Sequence, residues 1–189
     1  DRRRDGFVPA EGSAVLVLEE ENHAIDRGIT PLAIVLGQGV SSDGFHLVQP
    51  DDYGRGASMA IDNALSNAEC SPTEIDYINA HGTSTPMNDL AETRAIKKSF
   101  GKQAYSVPIS STKSMLGHCL GGAGAIEAAV SILSILNNEI HSTINYGEPD
   151  PECDLDYIVE GPRKIRINTV LSNSFGFGGQ NACIVLQKI

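Results

Sequence analysis

The chain is poor in positive charge: 14 Lys and Arg stand against 24 Asp and Glu in 189 residues, a formal net charge of −10 with histidine neutral. Only Arg2-Arg3-Arg4 and Lys97-Lys98 are locally positive. That leaves no broad basic face for a phosphate backbone and excludes nucleic acid as a partner. Cysteine is scarce as well. Cys70, Cys119, Cys153 and Cys183 form no Cys-x-x-Cys pair and no dense framework. This excludes a secreted disulfide scaffold and points to free thiols in a reducing compartment, the cytoplasm or a plastid-like organelle stroma. No apolar run reaches the roughly 20 residues a bilayer demands. The longest, Ala123 to Leu136, carries Glu127 and two serines; it reads as a core helix, and no membrane partner is expected. No apolar signal segment follows the arginines, no low-complexity linker interrupts the chain, and the first residue is Asp1 rather than methionine. The expectation is a fragment or a processed chain.

With 41% hydrophobic and 20% charged residues, the chain can bury one substantial core or one repeat of a larger protein. Internal similarity favours the second. "FVPAEGSAVLVLEE" (Phe7 to Glu20) lines up without gaps on "FGFGGQNACIVLQK" (Phe175 to Lys188). Each has a glycine-containing turn and then an apolar run, Ala14 to Leu18 and Ala182 to Leu186, suited to a strand covered on both faces. On this reading residues 1–28 end one copy of a unit and residues 29–189 make the second, with roughly 150 residues of the first copy upstream.

Between those runs the chain alternates. "PLAIVLGQGVSSD" predicts a strand, "GRGASMAIDNALSNAE" a helix with Met59, Ile61, Ala64, Leu65 and Ala68 inward, and "SPTE" a helix start capped by Ser71. "IDYINA" predicts a short strand leading to His81. "NDLAETRAIKKSFG" predicts a helix from Asn88 or Asp89 to the terminator Gly101. "VPISS" is a buried strand, "YGEPDPECD" an acidic loop, and "INTVLSNSF" with "NACIVLQKI" a strand pair around Gly176-Phe177-Gly178-Gly179. The alternation predicts a layered α/β sandwich.

Polar groups just past the carboxyl ends of strands are where open α/β sheets build sites. His81 follows "INA", Lys113 and His118 follow "VPISS", and Phe177 follows "VLSNSF". His81 sits in "HGTSTP", among hydroxyls and a glycine that suit ligand contact better than core filling. Lys113, between a buried-type strand and a buried-type helix, needs a counter-charge; Glu127 on that helix is the candidate, because an unpaired buried carboxylate is costly. His118 precedes the same helix, whose amino-terminal partial charge favours a neutral imidazole. Two neutral imidazoles presenting N–H groups can stabilise an enolate or an oxyanion. Cys119 adjoins His118, but adjacent side chains diverge and nothing nearby marks a thiolate, so a small buried residue is expected there. Cys183, mid-strand, is structural. Bases and donors are thus present without an attacker.

Taken together and in order, "NAHGTSTPMND", "SSTKSMLGH", "GGAGAIEA" and "SNSFGFGGQNA" resemble the β-ketoacyl synthases, the condensing enzymes of fatty acid and polyketide synthesis. The resemblance runs from "RDGFVPAEGSAVLVLEE" to the last residue and is greatest to members that elongate acyl groups on acyl carrier protein. It implies the thiolase fold, an α/β layered α-β-α sandwich in two copies, of which this chain holds one complete copy and the end of the other. It implies a decarboxylating Claisen condensation of malonyl-carrier protein with an acyl-enzyme thioester. His81 and His118 match the histidines of a Cys-His-His triad, and Lys113 matches a lysine that organises the site through Glu127. Thr83 and Thr85 match residues that hydrogen-bond the phosphopantetheine arm, and Phe177 an aromatic gate. The nucleophilic cysteine would lie in the missing amino-terminal half, leaving this polypeptide inactive alone.

No bound cofactor or metal is implied beyond the carrier's phosphopantetheine, although Asn79, Glu127, Ser172 and Asn181 match positions that hold a monovalent cation in some members. Gln180 departs from a common threonine. The implied partners are acyl carrier protein, the amino-terminal half and a second copy in a homodimer, with Arg2 to Arg4 as a candidate docking patch for an acidic carrier. The resemblance also admits a polyketide-synthase ketosynthase domain or a non-catalytic chain-length-factor subunit; retention of His81, Lys113 and His118 argues against the latter.

Overall fold

The apolar runs become one mixed sheet with helices on both faces in a computed structural model that describes residues 1–189. In chain order the elements are α1 (Glu21–Asp26), β1 (Ile34–Ser42), α2 (Arg55–Asn67), β2 (Tyr77–Asn79), α3 (Pro86–Phe100), β3 (Ile109–Ser110), α4 (Lys113–Leu116) and α5 (Ala123–Asn137), then β4 (Glu139–Ile140), β5 (Arg163–Lys164), β6 (Thr169–Gly176) and β7 (Gln180–Gln187). The main sheet runs β1-β7-β6-β2-β3. β6 and β7 form the antiparallel hairpin expected around the glycine turn, β1 pairs antiparallel with β7, and β2 lies parallel to both β6 and β3. Asn79 therefore stands beside Ser110 at the carboxyl ends of β2 and β3. The residues that follow, His81 and Lys113, leave the sheet at one edge, where such folds place sites.

One face of the sheet is packed by α2 and α3. The inward stripe of α2 is Ala57, Ala60, Ile61, Ala64, Leu65 and Ala68, the i, i+3, i+4 spacing of an amphipathic helix. Met59, expected inward, is 55% exposed, because it falls between those rows. Small residues let this helix approach closely: a Cβ on Gly39 would stand 2.1 Å from the Ala60 carbonyl oxygen. The α3 helix starts two residues before Asn88, where Pro86 fills the first turn and Thr85 accepts the Asn88 N–H at 3.2 Å. It ends at Gly101 with φ +55°, as expected. "SPTE" makes its reciprocal cap, the Ser71 N–H donating to Glu74 at 2.8 Å, yet only one 3₁₀ turn follows. Ile75 turns extended and buries itself in the core, ending the helix before it can propagate.

The other face is packed by α5, whose Ala128 and Ile135 meet Tyr77, Ile140, Ile158, Ile167, Val170 and Leu186. Leu120–Asn137 passes for a membrane span by length and composition. Its buried row nevertheless includes Glu127, Ser131 and Ser134, a polar line turned towards the sheet, so it serves as the core helix expected. Ala14 to Leu18, in contrast, forms no strand; Val15 is 90% and Val17 86% exposed. A strand requires a hydrogen-bonding neighbour, and neither edge of the sheet, β1 or β3, pairs with this run. The arginines also depart from expectation. Arg4 is buried against Asp150 at 2.5 Å, Arg2 meets Glu148 at 2.7 Å and Arg3 meets Asp1 at 3.0 Å. Arg2 and Arg4 thereby tie the amino-terminal arm to the acidic loop; Arg4 is withdrawn from the surface, while the Arg2 and Arg3 side chains stay exposed.

Candidate active site

A cavity of about 340 Å³ opens beside the carboxyl ends of β2 and β3, with Phe7, Thr83, Ser111, Lys113 and His118 among its walls. His81 enters this region two residues after β2. Its backbone N–H and that of Gly82 both donate to the Glu92 carboxylate of α3, at 2.9 and 2.8 Å, and Asn173 adds a third donor at 3.1 Å. The turn carrying the imidazole is thereby tied to a helix. The ring is buried between His118, with centroids 5.4 Å apart and planes at 81°, and Phe175 at 5.7 Å. Burial, reinforced by the charges of Lys113 and His118, pushes its pKa well below 6.5.

His118 is placed by a chain reversal after α4. Gly117 has φ +74°, and a Cβ there would come 2.7 Å from the Ala10 Cβ and 2.9 Å from the Val8 carbonyl oxygen. Only glycine allows the arm to cross here. The His118 N–H then donates to Val8 at 2.8 Å, the Ala10 N–H donates to His118 at 3.1 Å, and the Phe7 ring meets the imidazole edge-on at 5.1 Å. Nδ1 of His118 accepts the Leu120 N–H at 3.1 Å, so the neutral ring carries its proton on Nε2. Partial burial and the Lys113 charge lower its pKa. The helix dipole expected to do this is displaced: the turn Leu120–Gly122 separates His118 from α5, and a dipole's influence fades within one turn.

Lys113 and Glu127 form the buried ion pair expected, their side chains 5% and 2% exposed. Burial raises the Glu127 carboxyl to about 7 while Lys113 pulls it down. Thr83 lines the cavity and its hydroxyl lies 3.0 Å from that of Thr85, which caps α3. Phe177 is not brought to the histidines: it sits at the hairpin tip, 63% exposed, and the aromatic ring against His81 is Phe175. Of the four residues matched to a cation site, three stay together and Asn181 lies apart. Asn79 donates to the Glu127 carbonyl and to Ser131, each at 3.2 Å, and Ser172 lies beside it in register. Asn181, two strands away, instead donates to Asp43 at 2.8 Å.

Cys183 is buried as expected, whereas Cys119 is partly exposed. Burial raises the thiol pKa of Cys70, Cys153 and Cys183, so these cysteines stay protonated. Glu92, Phe7 and Phe175 were not anticipated. For Glu92 a signal exists: it stands four residues from both Asn88 and Ile96 on the inward row of α3, where a lone acid must serve a buried donor.

Fold and site together define a layered α/β domain whose paired neutral imidazoles, backed by a buried lysine–glutamate pair, can polarise a carbonyl and hold an enolate. Residues 32–147 match the family described as beta-ketoacyl synthase, C-terminal domain, and the chain belongs to the β-ketoacyl synthase family. It is 49% identical over 189 residues to the 3-oxoacyl-[acyl-carrier-protein] synthase 2 of Coxiella burnetii, covering 100% of this chain and 46% of that protein. Its identity to the Synechocystis protein of the same name is 48% over 188 residues, covering 100% and 45%. It therefore spans about half the length of the curated relatives it matches. Among solved structures it is similar to a ketosynthase in complex with its type II polyketide acyl carrier protein (TM-score 0.96, 42% identity, 99% of this chain and 46% of that one). It is also similar to the ishigamide ketosynthase/chain length factor (TM-score 0.95, 38% identity, 100% and 46%). These thiolase-fold relatives agree with the α-β-α layering.

Proposed function

We propose that this chain is the carboxyl-terminal half, residues 1–28 closing the preceding unit, of a 3-oxoacyl-[acyl-carrier-protein] synthase that elongates fatty acyl chains. The observation carrying this reading is the pair of neutral imidazoles 5.4 Å apart, with the His118 proton directed to Nε2. The substrate is malonyl thioester on the phosphopantetheine of acyl carrier protein, the only prosthetic group required. Its carbonyl oxygen accepts the N–H groups of His81 and His118. The bond from the α-carbon to the carboxylate then breaks, CO₂ leaves, and the electron pair becomes an enolate held by those donors. The α-carbon attacks an acyl thioester on a cysteine supplied by the amino-terminal half; a carbon–carbon bond forms, the carbon–sulfur bond breaks and the thiolate departs.

Lys113 acts through Glu127 to set the charge around the imidazoles. Thr83, on the cavity wall, and Thr85 beside it hydrogen-bond the phosphopantetheine arm, while Phe177 gates the acyl pocket from the exposed hairpin tip. The solved ketosynthase–carrier complex supports a carrier-protein partner. A homodimer in the cytoplasm or an organelle stroma belongs to the same reading. The chain-length-factor alternative is set aside because His81, Lys113 and His118 are together in one site.

The test is malonyl decarboxylation by the complete polypeptide. His118→Ala is expected to lower kcat about 10²–10³-fold, the loss typical of a removed oxyanion donor. Unchanged CO₂ release by the variant overturns the reading.

A further inference from the structure

Above the apolar floor of the α5 layer lies a buried polar cluster whose centre is a histidine outside the site described. His141 follows β4, and its Nε2 lies 3.1 Å from the Thr112 hydroxyl, 3.2 Å from the Tyr77 hydroxyl and 3.4 Å from the Ser110 hydroxyl. Its Nδ1 lies 3.2 Å from the Ser142 carbonyl. A carbonyl only accepts, so Nδ1 carries the proton and Nε2 is left as an acceptor facing three hydroxyls. Tyr77 and Ser110 share one hydrogen bond at 2.8 Å; of the three hydroxyls that of Thr112 is nearest to the ring, and its oxygen lies closer to Nε2, at 3.1 Å, than to the other acceptor in its reach, Asn79 Oδ1 at 3.4 Å, which assigns it as the donor to the ring. On its other side the Thr112 oxygen accepts from Asn79 at 3.3 Å, and the same amide donates to the Glu127 carbonyl and to Ser131.

We infer that His141 is a positioning residue for the condensing centre: by accepting the Thr112 hydroxyl proton it holds the Thr112–Lys113 backbone against Asn79, and so fixes Lys113 opposite Glu127. The inference rests on the proposed activity. Burial lowers the His141 pKa, with the Ser142 carbonyl opposing it, which agrees with a neutral, accepting ring. Lys113 is the residue next to Thr112, and its partner's carbonyl is held by the amide that meets Thr112. A lateral shift at His141 therefore reaches both ends of the ion pair without any contact between His141 and substrate.

The experiment uses the complete polypeptide and follows malonyl decarboxylation. His141→Leu is expected to lower kcat about tenfold with KM unchanged within about twofold, the pattern of a misplaced rather than missing catalytic group. His141→Gln, which restores an acceptor near the Nε2 position, is expected within about twofold of the parent kcat. Thr112→Val removes the same hydrogen bond from its other end and is expected to match His141→Leu. The double variant should fall no further than either single one, because the two act through one contact. Wild-type kcat in His141→Leu, equal losses in the Leu and Gln variants, or additive losses in the double variant would each overturn the assignment. If His141→Leu does not fold, wild-type kcat in Thr112→Val overturns it alone. A parent enzyme that does not decarboxylate malonyl thioester removes the activity reading and this role with it, whereas an active parent with indifferent variants removes only this role.

Discussion

The two faces of the sheet are built for different purposes. The α2/α3 face buries a continuous cluster of 19 apolar residues, from Ala57 to Val185, and its helices contribute mainly alanine, isoleucine and leucine. The α5 face buries only eight, and above them stand Asn79, Ser110, Thr112, Glu127, Ser131 and Ser172, all buried and polar. Apolar burial stabilises at about 25 cal/mol per Å² without asking for partners, whereas each buried polar group must find a hydrogen bond merely to break even. The first face therefore supplies stability, and the second spends some of it on the orientation of Lys113 and Glu127. Substitutions should divide accordingly, into losses of folding free energy on one side and losses governed by charge and pH on the other.

The largest effect is expected at the ion pair. Lys113→Ala leaves a buried carboxylate alone and should cost about 3–5 kcal/mol in urea unfolding at pH 8. Glu127 already has a folded pKa of about 7 against an ordinary value of 4.5. A raised carboxyl pKa means that the folded state holds the proton more tightly, so this group's contribution is favourable below pH 4.5 and is lost as pH rises through 7. The cost of Lys113→Ala should therefore shrink at pH 5.5, where Glu127 enters the fold neutral. A penalty that does not change with pH would show that packing, not charge, governs this face. On the α2/α3 face Ile61→Ala is expected to cost about 2–5 kcal/mol by cavity formation, with no such pH dependence. Urea midpoints at the same two pH values make the comparison direct.

A smaller, oppositely signed effect is expected from the imidazoles. His81 and His118 have pKa values lowered by burial and by Lys113. Below pH 6.5 the unfolded chain takes up protons that the folded rings refuse, so their contribution to stability is full above 6.5 and falls as pH drops. Imidazole resonances in the folded protein should titrate with midpoints under 6.5. A His118 midpoint at or above 6.5 would remove the neutral N–H donor on which the proposed chemistry depends.

The same contrast explains what could be seen in the sequence. Elements whose side chains answer to local periodicity were legible: the inward stripe of α2 apart from Met59, the stop of α3 though not its Thr85 cap, the β6–β7 hairpin and the core helix α5 all follow from neighbours within a few residues. So was the Lys113–Glu127 pair, because an isolated acid on an apolar helix demands a cation. Features settled by distant backbone were not. Glu92 is held by the N–H groups of His81 and Gly82, Phe7 reaches His118 across the arm, and Arg4 is consumed by Asp150; each depends on loops meeting in space. Ala14 to Leu18 has the composition of a buried strand but lies exposed, since composition records what a segment needs and not whether its neighbour is present.

The smallest effect bears on that last point. Met59 on α2 and Leu133 on α5 are equally exposed, 55% each, one on either side of the sandwich. If both meet only water, replacing either with glutamine changes stability by less than about 0.5 kcal/mol. The proposed two-half architecture breaks this symmetry, because the second unit would cover the α5 side, where Leu136 is also exposed. In the complete polypeptide Leu133→Gln should then cost about 1.5–3 kcal/mol, the value of a buried leucine side chain, while Met59→Gln stays near zero. Equal and negligible costs at the two positions would mean that the α5 face is finished as it stands, and the apolar side chains it exposes would lose the explanation that a partner unit gives them.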